Sequence, residues 1–346
     1  MKNTDDMKTN MGFGNIFKTI TTTAFAALLV IASTISGCLN SEKKSRTDVV
    51  ESHTTKDSID LFARANELVA HFPQDEQGRL IQYGYNLITE TQKYLGPEIK
   101  DKSKVRTGNN MACKNCHLGS GTKAFAAPYI GLTKVFPTYI GRENKIESLE
   151  DRINGCFERS MNGNALDSAS REMKAIVAYI TYLSNDVGQN GRINGQGFVK
   201  LKVPARAADL EKGKIVFTNN CVVCHGANGE GKRKGMPGDG EGYLYPPLWG
   251  HDSYNDGAGM SRLLTAAKFI KANMPFGVSH DKPLLTDEQA YDVAAYINSF
   301  KRPAKAHKEK DYPDLSKKPQ DCPYPPYNDT LSLAQHKFGP FKVMDK

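Results

Sequence analysis

The clearest pattern along the chain is the helical spacing of apolar residues in two separate stretches. The later stretch opens with a capping-box pattern at Thr286 and Gln289. Apolar residues then follow at i, i+3, i+4 and i+7: Ala290, Val293, Ala294 and Ile297. The earlier stretch, which begins near Asp167 or Ser168, repeats this spacing: Met173, Ile176, Val177, Ile180 and Leu183. The pattern predicts two amphipathic helices that each pack a core, and the segments ending in Tyr179-Ile180 and Tyr296-Ile297 align without a gap as parts of one repeated helical module.

The first forty residues have the features of a bacterial export signal. Lys8 and Lys18 precede an apolar run of nine residues, Ala24 to Ala32, far shorter than the roughly 20 residues of a membrane-spanning helix. The run leads to the sequence Ile-Ser-Gly-Cys ending at Cys38, which resembles a bacterial lipobox. We therefore expect residues 1–37 to be a signal peptide and Cys38 to carry a lipid. The mature protein is expected to be exported, periplasmic and lipid-anchored to a bacterial membrane.

Composition and charge narrow the class of protein. The 346 residues leave room for two small domains, and 39% apolar with 24% charged residues is typical of a chain that forms a core. The net charge of +8 is spread along the chain without a block of Lys and Arg. Nucleic-acid binding is therefore not expected, whereas a small anionic substrate or an acidic protein partner is compatible with the charge.

Four of the seven cysteines form two copies of the attachment motif of haem c. The motifs are Cys113-Lys-Asn-Cys116-His117 and Cys221-Val-Val-Cys224-His225. In such a motif the two thiols bond to the haem vinyl groups and the adjacent histidine faces the iron. Zinc is disfavoured because the two pairs lie too far apart for a zinc ribbon, and a redox dithiol would not need a histidine at both sites. We therefore expect two covalently attached haem c groups, with His117 and His225 as iron ligands.

The sequence after each motif predicts a mainly α protein with two tandem cytochrome c domains. A Pro-x-x-Gly segment follows each motif, at Pro128 and at Pro247, where cytochromes c place the loop that orients the histidine. The expected organisation is a signal peptide (1–37), a tether (38–58), a first domain with the catalytic haem (59–185), a linker (186–199), a second domain with the electron-transfer haem (200–302) and a tail (303–346). Because the tail holds seven of the 17 prolines, we expect an extended, irregular segment rather than a domain.

A haem that only carries electrons needs a second axial ligand, and the second domain offers a methionine. Met274 lies in an Asn-Met-Pro segment 23 residues before Ile297, on the loop that precedes the last helix. A methionine at this place is the usual ligand in cytochromes c, so Met274 is the expected ligand of the second haem. Three other side chains could compete for the iron: Met260, His251 and His280.

The internal repeat puts a cysteine at the corresponding place in the first domain. Counting back 24 residues from Ile180 reaches Cys156, whereas Met161 lies 19 residues back. Cys156 is therefore the expected ligand of the first haem. Two alternatives stay open: Cys156 is a buried thiol, or it forms a disulfide with Cys322, in which case Met161 would take the iron.

Positive charges flank Cys156 in the sequence. In a helical segment, Arg152 at i−4 and Arg159 and Ser160 at i+3 and i+4 would lie on the same face as Cys156. Guanidinium groups beside a thiolate lower its pKa and can bind an oxyanion through forked hydrogen bonds. We expect these four residues to form the catalytic group, against the alternative of a solvated charged face. Weaker candidates for the same cleft are Lys123, Arg142 and Arg171.

The segment Asn154–Gly163 (Asn-Gly-Cys-Phe-Glu-Arg-Ser-Met-Asn-Gly), forty residues after a haem motif, closely resembles the dihaem thiosulfate dehydrogenases. The similarity covers residues 60–300 and includes both haem motifs, Cys156 and Met274. It implies two cytochrome c domains, His/Cys ligation at the catalytic haem, His/Met ligation at the second haem, and interconversion of thiosulfate and tetrathionate. Some members of the family carry a lysine directly before the methionine, where this chain has Asn273.

The expected function is therefore a redox enzyme that joins two thiosulfates into tetrathionate, or reduces tetrathionate in the reverse direction. Its expected partners are the two sulfur anions and a redox partner, which would be a cytochrome, a membrane oxidase or a quinol-linked donor. The main alternative is a dihaem electron carrier without a substrate, which would give no reason for arginines beside Cys156. A dihaem peroxidase would need a distal site free of thiolate.

Overall fold

The computed structural model describes residues 61–188 and 191–341. The predicted signal peptide (1–37), the lipidated Cys38 and the tether (38–58) lie outside these residues. The described part of helix α1 covers residues 61–70. The other helices are α2 (Glu76–Thr89), α3 (Thr91–Leu95), α4 (Leu132–Val135), α5 (Leu149–Arg159), α6 (Arg171–Ser184), α7 (Leu210–Asn220), α8 (Val222–His225), α9 (Leu263–Asn273), α10 (Asp287–Ser299) and α11 (Leu333–Phe338). Two antiparallel hairpins pair β1 (Thr138–Ile140) with β2 (Lys145–Glu147) and β3 (Lys232–Arg233) with β4 (Tyr243–Tyr245).

The two predicted amphipathic helices are α6 and α10, and each packs its apolar stripe in a separate core. The capping box at Thr286 and Gln289 is present, since each side chain accepts a hydrogen bond from the backbone N–H of the other. Helix α6 begins later than predicted because Ser170 caps it by accepting a hydrogen bond from the Met173 N–H. The prediction of a mainly helical protein with two such modules is therefore confirmed.

Each module is built on a crossing of two helices at a glycine. In the first, α2 crosses α6 so closely that a Cβ atom on Gly84 would lie 2.0 Å from the Ala175 carbonyl oxygen. In the second, α7 crosses α10 and a Cβ atom on Gly213 would lie 2.2 Å from the Asp292 carbonyl oxygen. Only glycine allows such a close approach of two helix backbones. Because the two crossings have the same local architecture, they extend the repeat seen in the sequence into three dimensions.

The two modules contact each other through a buried polar network. Asp252 of the second module, which is 7% exposed, accepts hydrogen bonds from the backbone and side chain of Asn110 in the first. Arg233 and the Tyr243 hydroxyl also donate to the Asp252 carboxylate, and Arg233 forms an ion pair with Glu98. A buried carboxylate with this many donors is well compensated for its lost hydration. The network therefore fixes the second module beside the segment that carries the first haem motif.

The proline-rich tail contacts both modules. Its Asp311 pairs with Arg159 of the first module, and its Asp321 pairs with Arg262 of the second. The tail contains the six-residue helix α11, and Cys322 lies in a small core of its own with two tyrosines. Within the described ranges, no helix is both long enough and apolar enough to cross a membrane.

Candidate functional site

The first haem motif opens into a cavity whose empty space, together with the solvent at its mouth, is about 770 Å³. Its lining is mostly apolar and includes the motif residues Cys113, Cys116 and His117 together with Arg152 and Cys156 of helix α5. Ser160 and Met161, which follow α5, also contribute to the wall. The structure therefore brings the predicted attachment site and the predicted ligand Cys156 into one cavity.

Both motif histidines are held by a backbone carbonyl at the same place in the repeat. The Nδ1 of His117 lies 2.6 Å from the Ala127 carbonyl oxygen, and the Nδ1 of His225 lies 2.8 Å from the Pro246 carbonyl oxygen. These carbonyls belong to the residues directly before Pro128 and Pro247, the start of each Pro-x-x-Gly segment. A carbonyl can only accept, so each ring carries its proton on Nδ1 and keeps Nε2 free as a metal ligand.

The Cys156 thiol has the surroundings of a stabilised thiolate. It is half-buried, and Nη1 of Arg152 donates to Sγ over 3.1 Å. Burial alone would raise the pKa of the thiol, but the Arg152 charge, the contact with His117 and the hydrogen bond from Arg152 outweigh burial and lower the pKa to about 6. The effect of His117 on this pKa shows that Sγ lies close to the imidazole ring. Sγ and the His117 imidazole therefore face each other inside the cavity.

Arg159 does not join Arg152 at Cys156, contrary to the sequence prediction. Its side chain is 8% exposed and forms a two-pronged ion pair with Asp311 of the tail, with N–O distances of 2.9 and 2.7 Å. The Tyr324 hydroxyl donates to the same carboxylate over 2.6 Å, and Glu143 lies 3.5 Å from the guanidinium. The charge of Arg159 is thus used to hold the tail. An oxyanion in the cavity would meet Arg152 and not Arg159.

The other predicted residues near Cys156 are placed as follows. Ser160 caps the C-terminal end of α5, and its carbonyl oxygen accepts a hydrogen bond from the Asn109 side chain. Met161 is buried and remains a neighbour of Cys156 in the cavity wall. The thiols of Cys156 and Cys322 are both free, and Cys322 lies in the tail core. The structure therefore does not contain the alternative disulfide.

The second haem motif lies at the edge of the second core. Cys221 and Met274 both pack against this core, and Met274 directly follows α9. Of the three competing side chains, His251 is exposed and His280 packs its ring against Phe125 of the first module at 4.5 Å. Met260 is half-buried and lies within the short 3-10 turn Gly259–Ser261. The arrangement is compatible with Met274 as the predicted ligand.

The residues of both motifs fit covalently attached haem c. Within the described residues, the motif cysteines form no disulfide, and the first pair opens into an apolar cavity. Each adjacent histidine has Nδ1 tied to a carbonyl, which leaves Nε2 for the iron. In the first cavity a cysteine with a lowered pKa faces the histidine, and a thiolate is a known haem ligand.

Sequence reasoning missed several residues that support the site. Tyr129 stacks on the His117 ring at 4.5 Å, and the Thr91 hydroxyl accepts a hydrogen bond from the Cys113 N–H. Tyr129 directly follows Pro128, in the loop that the sequence predicts to orient the histidine, so the sequence does indicate that Tyr129 lies near His117. The pairing of Asp311 with Arg159 had no such signal because 152 residues separate the two.

Comparison with known proteins agrees with this geometry. The family model described as "Cytochrome c" matches residues 210–301, and the model described as "SoxA/TsdA, cytochrome c domain" matches residues 102–188. The two matches confirm the two cytochrome c domains, a class of domain that attaches haem c covalently. They also assign each helical module to one domain.

Relatives that match about 70% of this chain give the same assignment. The chain is 42% identical over 242 residues to the thiosulfate dehydrogenase of Psychrobacter arcticus, covering 70% of this chain and 69% of the relative. It is 39% identical to the thiosulfate dehydrogenase of Stutzerimonas stutzeri, covering 67% of this chain and 70% of the relative. A solved structure of thiosulfate dehydrogenase (TsdBA) from Marichromatium purpuratum, in its "as isolated" form, matches with a TM-score of 0.61 and 34% identity. That match covers 69% of this chain and only 49% of the solved one, so this chain spans about half of that structure. The resemblance noted in the sequence is confirmed, and the chain belongs to the thiosulfate dehydrogenase family.

Proposed function

We propose that this protein is an oxidoreductase that oxidises thiosulfate to tetrathionate and can catalyse the reverse reaction. The observation that carries the proposal is the cavity in which Cys156, beside Arg152, faces His117. A plain electron carrier gains nothing from a guanidinium at a distal ligand, whereas an enzyme for a sulfur oxyanion needs one. The names of the relatives support thiosulfate as the substrate.

In this proposal the protein carries two haem c groups. Cys113 and Cys116 attach the first, with His117 and Cys156 as its iron ligands. Cys221 and Cys224 attach the second, with His225 and Met274 as its ligands. When bound, the two groups supply one-electron acceptors, which together match the two electrons released by the reaction.

The chemistry of the chain is sulfur exchange at Cys156. Arg152 binds the sulfonate oxygens of one thiosulfate and directs its terminal sulfur to Sγ. A sulfur–sulfur bond forms between this sulfur and the thiolate, with loss of two electrons, to give a cysteine S-thiosulfonate. The terminal sulfur of a second thiosulfate then attacks the sulfur attached to the first sulfonate group. Tetrathionate leaves, and the Cys156 thiolate is regenerated.

Dye-linked assays of thiosulfate oxidation and tetrathionate reduction test the proposal on the purified protein that begins after Cys38. Cys156→Gly should abolish both activities, and Arg152→Gln should raise the KM for thiosulfate more than it lowers kcat. Arg171→Gln is the matched control, because Arg171 is an exposed arginine of the same domain that stacks over Tyr83 at 4.8 Å. A wild-type protein with both haems and no turnover in either direction would instead be a dihaem electron carrier.

We also propose that the protein is exported and lipid-anchored. The support is the basic and apolar pattern of residues 1–37 and the lipobox-like sequence that ends at Cys38. In the periplasm it would exchange electrons with a cytochrome, a membrane oxidase or a quinol-linked donor. The proposed domain limits are 59–185 and 200–302, joined by the linker 186–199. Mass spectrometry of the membrane-derived protein tests the anchor, since an unprocessed N-terminus or an unmodified Cys38 would refute it.

A further inference from the structure

The loop that orients His117 contains two residues in a conformation that side chains rarely adopt. Phe125 has φ = 56° and Ala127 has φ = 49°, although neither is glycine. Left-handed backbone at such residues costs free energy and persists only where the surroundings hold it, often at functional sites. Ala127 is the residue whose carbonyl accepts the hydrogen bond from Nδ1 of His117. The strain is therefore located at the support of the histidine.

The first group of contacts that holds this loop comes from the segment after the first domain. The Phe125 N–H donates to the Gly195 carbonyl over 2.6 Å, and the Ala127 N–H donates to the Gly197 carbonyl over 2.9 Å. These two bonds fix the amide side of each strained residue. They do not involve the Phe125 carbonyl, which accepts its hydrogen bond from another part of the chain.

The second domain supplies that contact through Asn273. Its Nδ2 donates to the Phe125 carbonyl over 3.1 Å and also to the Phe269 carbonyl of its own helix. Asn273 is 1% exposed and is the last residue of α9, directly before Met274. Two further contacts lie beside it: Lys123 donates to the Val278 carbonyl over 3.1 Å, and the His280 ring packs against Phe125.

One amide thus connects the supports of two metal ligands. The connection starts at Met274 and passes through one peptide bond to Asn273, whose side chain donates a hydrogen bond to the Phe125 carbonyl. Two residues further along the loop, the Ala127 carbonyl accepts the hydrogen bond from His117. We propose that Asn273 is a positioning residue of the second domain that sets the hydrogen bond on His117 and so couples the two haem sites. This inference depends on the proposed roles of His117 and Met274 as iron ligands.

The physical effect of this coupling follows from hydrogen bonding to a ligating histidine. An acceptor on Nδ1–H makes the imidazole a stronger electron donor, which favours the ferric state of the iron it binds. Without the Asn273 amide, the Phe125 carbonyl loses its donor and the strained loop can relax. The hydrogen bond from His117 to the Ala127 carbonyl then weakens, and the ferrous state of the first haem is stabilised relative to the ferric state.

The test is a spectroelectrochemical titration of the haem-loaded protein, without thiosulfate, for the wild type and for Asn273→Leu. Leucine keeps the buried volume and removes the donor. Electron paramagnetic resonance assigns each transition to the thiolate-ligated or the methionine-ligated haem. We expect the ferrous-to-ferric ratio of the thiolate-ligated haem at fixed potential to rise 3- to 10-fold, where ten-fold corresponds to about 59 mV. Asn273→Ser, which is too short to reach Phe125, is the second variant should the leucine protein fold poorly.

Gln92→Leu is the matched control. Gln92 is 2% exposed, and its Nε2 also donates across the domain boundary to a backbone carbonyl, that of Glu241, over 3.1 Å. Its hydrogen bond lies outside the loop 125–127, so its loss should lower thermal stability without moving the first haem. If Asn273→Leu and Asn273→Ser leave the first haem unchanged, move only the second haem, or act no more strongly than Gln92→Leu, the proposal is overturned. Because no step of this test uses thiosulfate, a failure of the proposed reaction would not be mistaken for a failure of this coupling.

Discussion

Replacing Asp311 with alanine removes one half of a buried ion pair and leaves the other half in place. Among the described residues, the Arg159 guanidinium would keep the Gly257 carbonyl at 3.5 Å and the Glu143 carboxylate at 3.5 Å as nearby acceptors. The Tyr324 hydroxyl would lose its acceptor as well. A buried charge without its partner is far more costly than a pair that is absent altogether. We therefore expect Asp311→Ala to be strongly destabilising.

The structure allows the size of this loss to be estimated. Breaking a buried ion pair by removing one partner costs about 3–5 kcal/mol in the free energy of unfolding. Glu143 is 29% exposed in its side chain and can approach Arg159, which offsets part of the loss. We expect the lower end, about 3 kcal/mol, which for a folded chain of roughly 280–300 residues, at about 2.1 cal/mol/K of unfolding entropy per residue, lowers the Tm by about 5 °C.

Thermal unfolding of the haem-loaded protein, followed by circular dichroism, measures this loss. Asp186→Ala is the control, because Asp186 pairs with Arg64 at 2.6 Å but both side chains are exposed, 39% and 63%. An exposed pair contributes about 0–1 kcal/mol, so the control should lower the Tm by no more than about 2 °C. If Asp311→Ala and Asp186→Ala have equal effects, Arg159 does not depend on the tail for its charge balance and the reasoning fails.

Three further predictions concern the haems and the domain boundary. Mass spectrometry of the protein that begins after Cys38 should show the polypeptide plus two haem groups, and a single haem would contradict the two-site assignment. Met274→Gly should lower the reduction potential of the second haem, because methionine favours ferrous iron, and an unchanged potential would direct attention to His251 or His280. Burial raises the pKa of Glu98, but hydrogen bonds from Arg233 and the Gly240 N–H outweigh it and lower that pKa below its ordinary value. Glu98 therefore stabilises the fold above the unfolded pKa of about 4.3 and loses this effect as the pH falls through its folded pKa. The difference in Tm between wild type and Glu98→Gln should accordingly be smaller at acid pH than at neutral pH.

The parts of the fold that sequence predicted correctly are those specified by local patterns. The apolar stripes that end at Ile180 and Ile297 determine which faces of α6 and α10 are buried, and each stripe needs only the spacing of its own helix. The repeated Pro-x-x-Gly segments likewise predicted loops that orient the histidines, and the carbonyls before Pro128 and Pro247 are their acceptors. Repetition within the chain made both predictions possible.

The orientation of Arg159 shows where local reasoning stops. On a helix of 3.6 residues per turn, positions i−4 and i+3 lie about 40° and 60° from Cys156 on the same side of it, one turn before it and one turn after it. A long arginine at either position can reach the thiol or turn away from it. Arg152 turns toward Sγ, whereas Arg159 turns toward Asp311. Nothing within one turn of α5 indicates that choice, because the deciding carboxylate belongs to the tail.

The residues that carry the proposed chemistry and the residues that hold them lie in different parts of the chain. The match to the SoxA/TsdA cytochrome c domain covers residues 102–188, which include the first haem motif, Arg152 and Cys156. Outside it, the tail neutralises Arg159 at the end of the Cys156 helix, and Asn255 of the second domain donates to the Glu158 carbonyl on the same helix. Asn273, also of the second domain, holds the loop of His117. Both faces of the first cavity are therefore supported by the second domain or the tail, so the geometry of this site depends on the assembled chain rather than on the first domain alone.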